Sequence, residues 1–188
     1  MSLRRGFVAL VPSAGALDHV EMAVAPLREE FPKLRWMPRT QWHLTLQFLG
    51  HVADVDALFG ALHAGVSGVV PFAARLGGGG VFAKSRAGTV LWLGVSEGAE
   101  AIAALAGALG RATQSLGFAP EGRPFRAHLT VARAHQPADL RAAVATLDAA
   151  APAPPWTATA VVLFDSDTRA AGAVHTEIAR FPLTPRSQ

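Results

Sequence analysis

Cysteine is absent from this 188-residue chain, tyrosine is absent too, and lysine occurs only at Lys33 and Lys84. Without cysteine there is neither a disulfide framework nor a thiolate metal site, which fits a reducing, cytoplasmic setting. Long hydrophobic runs are also missing: Gly, Pro or a charge interrupts every apolar stretch before the roughly 18 residues that a membrane span needs. No membrane association is therefore expected. The beginning, MSLRRGFVALVPSAG, places two arginines before an apolar run, but that run is only about five residues long before Pro12. The amphipathic segment after it carries Asp18, Glu21, Arg28, Glu29 and Glu30, so the start reads as a first β-strand rather than a signal peptide.

What is present is hydrophobic: 51% of the residues are apolar, ample for a packed core and incompatible with a disordered chain. The formal charge of +3 is carried almost wholly by arginine. Arginine forks suit phosphate, yet the same residues also read as ordinary solvated surface, and charge alone does not decide between the two. Histidine spacing offers neither H-x-H nor H-E-x-x-H, so no metal and no cofactor are expected. Gly77 to Gly80, followed by Lys84-Ser85, lacks the glycine a Walker loop needs directly before its lysine, where Ala83 stands. The glycines read as a flexible turn, and nucleoside triphosphate hydrolysis is set aside.

The chain alternates between the two periodicities. Residues 6–11 read as a strand and 16–30 as a helix with Leu17, Val20, Val24 and Leu27 on one face, Pro26 arguing against an unbroken helix. The segment HLTLQFLG reads as a strand closed by Gly50, and 54–67 as a helix with Val55, Leu58, Phe59 and Leu62 inward. Residues 71–80 and 88–96 are strand candidates around a turn-rich stretch. An alanine-rich helix from 99 to about Gly117, a strand PFRAHLTVAR, a short helix over 138–149 and two closing strands complete the order. The two halves resemble one another, and the expectation is one α+β unit over residues 1–188 with two similar lobes of sheet backed by helices.

The halves share His-Leu-Thr followed by an aliphatic residue, at His43 to Leu46 and again, 85 positions later, at His128 to Val131. Strand alternation places His43, Thr45 and Gln47 on one face with Leu44, Leu46 and Phe48 on the other. The same rule groups Arg126, His128 and Thr130 and turns Leu129 and Val131 to the core. Trp42 has the opposite parity to His43 and reads as core packing. Two imidazole-hydroxyl pairs facing one cleft suit attack of water on a cyclic phosphodiester. One imidazole takes the proton of the water and the other supplies one to the departing ribose oxygen. Thr45 and Thr130 are then donors to the non-bridging oxygens, with Arg126 or Arg133 adding charge.

These residues resemble the two-histidine phosphoesterase superfamily, specifically the LigT-like RNA 2′,3′-cyclic phosphodiesterases, historically called 2′-5′ RNA ligases. The likeness rests on His43-Leu44-Thr45-Leu46 with the QFLG that follows, on His128-Leu129-Thr130-Val131 between GRPFRA and Ala132-Arg133, and on KSRAGTVLWLG between them. It implies a bilobal fold with a pseudo-twofold axis, a central cleft, both motifs on inner strands, and hydrolysis of a 2′,3′-cyclic phosphate to a 2′-phosphate. It also implies His43 as acid and His128 as the group that activates water, although the pattern itself allows the reverse. Arg133, of opposite parity to His128, enters the site only through the resemblance, because an arginine commonly closes that strand in the family.

The chain departs from the family in having no tyrosine, placing His175 in GAVHTEI where an aromatic is often found. Stacking of bases then falls to Trp42, Phe48, Phe82, Trp92, Phe125 or Trp156. Lys84 and Arg86 are further candidates for RNA phosphates or simply solvated charges. The expected partner is RNA bearing a 2′,3′-cyclic phosphate, or a 2′-phosphate and a 5′-hydroxyl end for 2′-5′ ligation, acted on by a monomer. Three alternatives stay open: a phosphoesterase for small cyclic phosphates such as ADP-ribose 1″,2″-cyclic phosphate, a non-catalytic module that binds RNA ends, and physiological ligation.

Overall fold

Hydrophobic periodicity is realised as nine strands and four α-helices among the described residues, which in this computed structural model are 2–84, 87–118, 124–169 and 172–185. The strands are β1 (Leu3–Leu10), β2 (Arg35–Trp36), β3 (Leu44–Val52), β4 (Phe72–Lys84), β5 (Ala87–Glu97), β6 (Leu129–Ala138), β7 (Trp156–Ala158), β8 (Ala160–Arg169) and β9 (Gly172–Pro182). The helices are α1 (Ala14–Glu30), α2 (Val55–Val66), α3 (Ala99–Thr113) and α4 (Arg141–Ala149).

Each long helix follows from its own stretch of sequence. Ser13 Oγ accepts from the Ala16 N–H at 3.3 Å and opens α1, and Asp54 accepts from the Ala57 N–H at 3.0 Å and opens α2. Both bury the expected stripes, Leu17, Val20, Val24 and Leu27 on α1 and Val55, Leu58 and Leu62 on α2. Contrary to expectation, Pro26 does not interrupt α1: it lies on the exposed face, where the carbonyl its ring leaves unpaired is open to water. The last helix starts at Arg141 rather than 138, because β6 continues to Ala138.

The strands join in antiparallel pairs in the order β7-β4-β5-β6-β3-β1-β8-β9, with β2 added to β6. From the middle outward, β3-β1-β8-β9 mirrors β6-β5-β4-β7. The halves meet at one residue pair, Leu44 with Leu129, each the residue after a motif histidine. That register sets His43 across from Thr130 and His128 across from Thr45. Helix α3 packs on α2 and on β3, and α4 packs on β4, so the helices cover one side of the sheet. The α+β, two-lobed fold expected from the sequence is the one observed.

Two local features differ from expectation. Gly77 to Gly80 are not a turn but the middle of β4, and close packing explains the need for glycine there. A Cβ on Gly79 would meet Leu147 Cβ at 2.7 Å, and one on Gly80 would meet the Trp92 indole at 2.0 Å. Only bare backbone lets α4 and that indole approach so closely.

The second difference is a bulge in each motif strand. Val8 pairs with Gln47 and Ala9 with Thr45, so Leu46 is an extra residue; Leu91 pairs with Ala132 and Trp92 with Thr130, so Val131 is extra. An inserted residue reverses the in-out alternation beyond it. Gln47, expected beside His43, instead turns to the helix side, where its amide donates to Thr113 Oγ1 at 2.9 Å and to the Phe118 carbonyl at 3.3 Å. Phe48, expected in the core, is 49% exposed. The same reversal buries Ala132 and frees Arg133 to turn to the cleft.

Candidate active site

A cavity of about 420 Å³ opens on the sheet around the junction of the two motif strands. His43, Thr45, His128 and Thr130 line it together, and Arg133 joins them because of the bulge at Val131. Arg126 does not line it: its guanidinium lies 5.1 Å from the centre of the Trp92 ring, at the mouth of a neighbouring pocket. The cause is backbone conformation, since residues 124–128 are not strand and β6 begins only at Leu129, so strand alternation does not extend back to Arg126. Arg86 and the side chain of Lys84 fall outside what is described.

Each histidine is held from two residues upstream. The Nδ1 of His128 is 2.8 Å from the Arg126 carbonyl oxygen, which can only accept, so this nitrogen carries the hydrogen and Nε2 is the basic one in the neutral ring. His43 is hydrogen-bonded likewise to the backbone of Gln41. Aromatic rings wall both. Phe7 and Phe164 stand 4.7 and 6.2 Å from His43, while Phe82 and Trp92 stand 4.7 and 6.1 Å from His128.

Motif reasoning did not anticipate the rest of the lining. Arg5 donates to Thr168 Oγ1 at 3.0 Å, and Arg35 lies beside Arg133 through the pairing of β2 with β6. Ser166 and His175 complete the far wall. A two-residue strand such as β2 carries no periodicity to find, and Arg5 sits in what reads as a generic apolar strand. His175 alone had a signal, as the departure from the family's aromatic.

Electrostatics give the cavity its character. Among the described residues lining it are three arginines and three histidines and no carboxylate. Burial, then His175, with smaller contributions from His128 and Arg133, pushes the His43 pKa down to about 4 against the hydrogen bond to Gln41. Burial lowers His175 as well, and burial together with Arg35 lowers Arg133 from its ordinary value. Guanidinium groups with no carboxylate among the described lining residues make a site suited to an anion. Among the described residues no group of three His, Asp or Glu side chains is placed to hold a metal ion.

The family model for the 2′-5′ RNA ligase superfamily matches residues 16–170. The chain belongs to that superfamily. Within it, the chain is 32% identical over 132 residues to an RNA 2′,3′-cyclic phosphodiesterase of Geobacillus stearothermophilus, an overlap covering 69% of this chain but only 42% of the relative. It is 31% identical over 135 residues to the protein of the same name from Methanothermobacter thermautotrophicus, covering 71% and 72%. In fold it matches the crystal structure of Escherichia coli LigT in apo form with a TM-score of 0.71, across 98% of this chain and 99% of that one, at 24% identity. The two-lobed α+β fold implied by the sequence resemblance is thus also the fold of that structure.

Proposed function

We propose that this superfamily member hydrolyses 2′,3′-cyclic phosphate ends of RNA to 2′-phosphates, with His43 and His128 as the proton-transfer pair. The observation that carries the reading is the cleft itself: two imidazoles, each held by upstream backbone, face a cavity lined by Arg5, Arg35 and Arg133 and by no described carboxylate. In this reading His128 takes a proton from water as its oxygen bonds to phosphorus. The bond from phosphorus to O3′ breaks, and His43 delivers a proton to that oxygen. Thr45 and Thr130 donate to the non-bridging oxygens, and Arg133 offsets the charge that accumulates there. His43 is neutral in the empty cleft at neutral pH, so the proton it delivers is taken up when the phosphodiester anion enters beside it.

RNA is favoured over a small cyclic phosphate by the pocket next door. A cavity of about 460 Å³ shares Thr45, Phe48 and His128 with the cleft and collects Phe48, Phe82 and Phe125, the last two each 38% exposed. Exposed rings at the edge of a phosphate site are stacking platforms for bases. Trp42, Trp92 and Trp156 are buried and leave that role. We further take residues 1–188 to act as one bilobal, monomeric, metal-independent unit in the cytoplasm, with 2′-5′ ligation following when a 5′-hydroxyl takes the place of water as the nucleophile and P–O3′ breaks as before.

The test is turnover of a short RNA ending in 2′,3′-cyclic phosphate in excess EDTA, with the product phosphate located. His43→Ala and His128→Ala should each lose on the order of 10²–10⁴ in rate. Losses below about tenfold in both would sink the two-histidine mechanism. Binding without turnover by the wild type would point to an RNA-end module, and inactivation by EDTA to a metal enzyme.

A further inference from the structure

Three histidines, not two, reach the cleft, and the third is unused by the reaction above. His175 comes from β9, where it pairs with Ser166 of β8, and its ring stands edge-on to His43 with centroids 5.3 Å apart. The same ring meets Phe7 at 5.0 Å and Phe164 at 6.5 Å, so His43 and His175 form one cluster with two phenylalanines. Its Nδ1 is buried with no hydrogen-bond partner among the described residues. Nothing in the packing requires a polar ring here, since phenylalanine fills comparable space without stranding a nitrogen.

Two further observations tie His175 to His43. Gln41, whose backbone holds the His43 ring, also reaches with its side-chain amide to the Ala173 carbonyl, two residues before His175 on the same strand. In addition, both histidines line the catalytic cleft and also a second cavity of about 280 Å³ behind it. That rear cavity is bordered by Arg39, Glu177 and Arg180, with Arg39 paired to Asp18 and Arg180 to Glu177. The rear charges are thus mutually compensated, whereas the front ones, Arg5, Arg35 and Arg133 with His128, are all basic.

We propose that His175 is a positioning residue that competes with His43 for a single proton, so that the catalytic ring is charged only when substrate phosphate is present. Two imidazoles about 5 Å apart in a partly buried site titrate as a pair, and a proton on one disfavours a proton on the other. His175 is the less buried of the two rings, so it is the member that takes up the stray proton while the cleft is empty. A bound anion then reverses the order, because its charge sits over His43 on the cleft side.

The inference rests on the proposed role of His43 in turnover, but its first test does not. Titration of His43 in the free protein, followed by NMR of the imidazole carbons, is expected to shift to higher pH in His175→Phe. In a second variant, His175→Gln, it should shift the same way. Under the proposed phosphodiesterase reaction, the limb of the kcat/KM profile that His43 governs moves in the same direction. An unchanged His43 titration in a folded His175→Phe, judged by an intact amide spectrum, overturns the proposal; His175→Gln serves if the phenylalanine variant does not fold. Normal titration shifts without any turnover of cyclic-phosphate RNA would instead leave the pairing intact and remove the proposed reaction.

Discussion

The two halves of the sheet carry the same motif with the same bulge, yet they surround it differently. In the first half His43 is enclosed by Phe7, Phe164 and a second imidazole, and the residue that the bulge turns into the cleft is Phe48. In the second half His128 is walled by Phe82 and Trp92, and the corresponding residue is Arg133. Backbone geometry is therefore shared, while burial, charge and stacking surface are not. Symmetry brings two imidazoles to one cleft, and asymmetry gives them different surroundings.

The sharpest break in the comparison is in stability against pH. His43 ionises at about 4 in the native protein against an ordinary value of 6.5, so below 6.5 the unfolded chain binds a proton the native state refuses. Its contribution to stability is full above about pH 6.5 and lost as the pH falls towards 4, amounting to about 3 kcal/mol at most. Urea unfolding at pH 7 and pH 4.5 should show a smaller loss in His43→Phe than in the wild type. Equal losses would mean that the burial of this ring is not what separates the halves.

Next in size is the pair of bulge residues. Arg133→Ala is expected to lower kcat/KM on a dinucleotide cyclic phosphate by about 10²-fold, as for loss of a donor to developing charge. Phe48→Ala should lower it by only about tenfold and mainly through KM, as for loss of a stacking surface. Reversed magnitudes would exchange the assigned tasks of the two lobes. A separate effect, on stability alone, concerns Trp92, which lies over Gly80. Gly80→Ala places a methyl group where the indole lies and should destabilise by on the order of 2 kcal/mol in thermal unfolding, whereas Gly60→Ala, in open space on α2, should not destabilise.

Much of this architecture is legible in the sequence because period and punctuation agree with it. The stripes of α1 and α2 and the paired His-x-Thr strands follow from local rules, whereas the meeting of His43, Thr45, His128 and Thr130 in one cleft is expected only through the family resemblance. What the sequence hides is register. A one-residue bulge leaves no compositional mark, so Gln47 and Phe48 exchange faces unannounced, and Arg133 reaches the cleft against its parity. Gly77 to Gly80 look like a turn because nothing in the string announces α4 and Trp92 lying against them. Arg126 misleads for the opposite reason: alternation was extended to residues that are not yet strand. His175 and Arg35 belong to the site only through long-range pairing, which local patterns do not encode.

The matched bulges also bear on direction. A nucleic-acid strand has a 5′ and a 3′ side, whereas a site with true twofold symmetry would accept it equally well either way round. By turning a phenylalanine in from one strand and an arginine from the other, the two insertions give the cleft a left and a right. Under the proposed function, the polarity with which an RNA end lies there would be set by the residues at positions 48 and 133 together with the unlike surroundings of the two histidines.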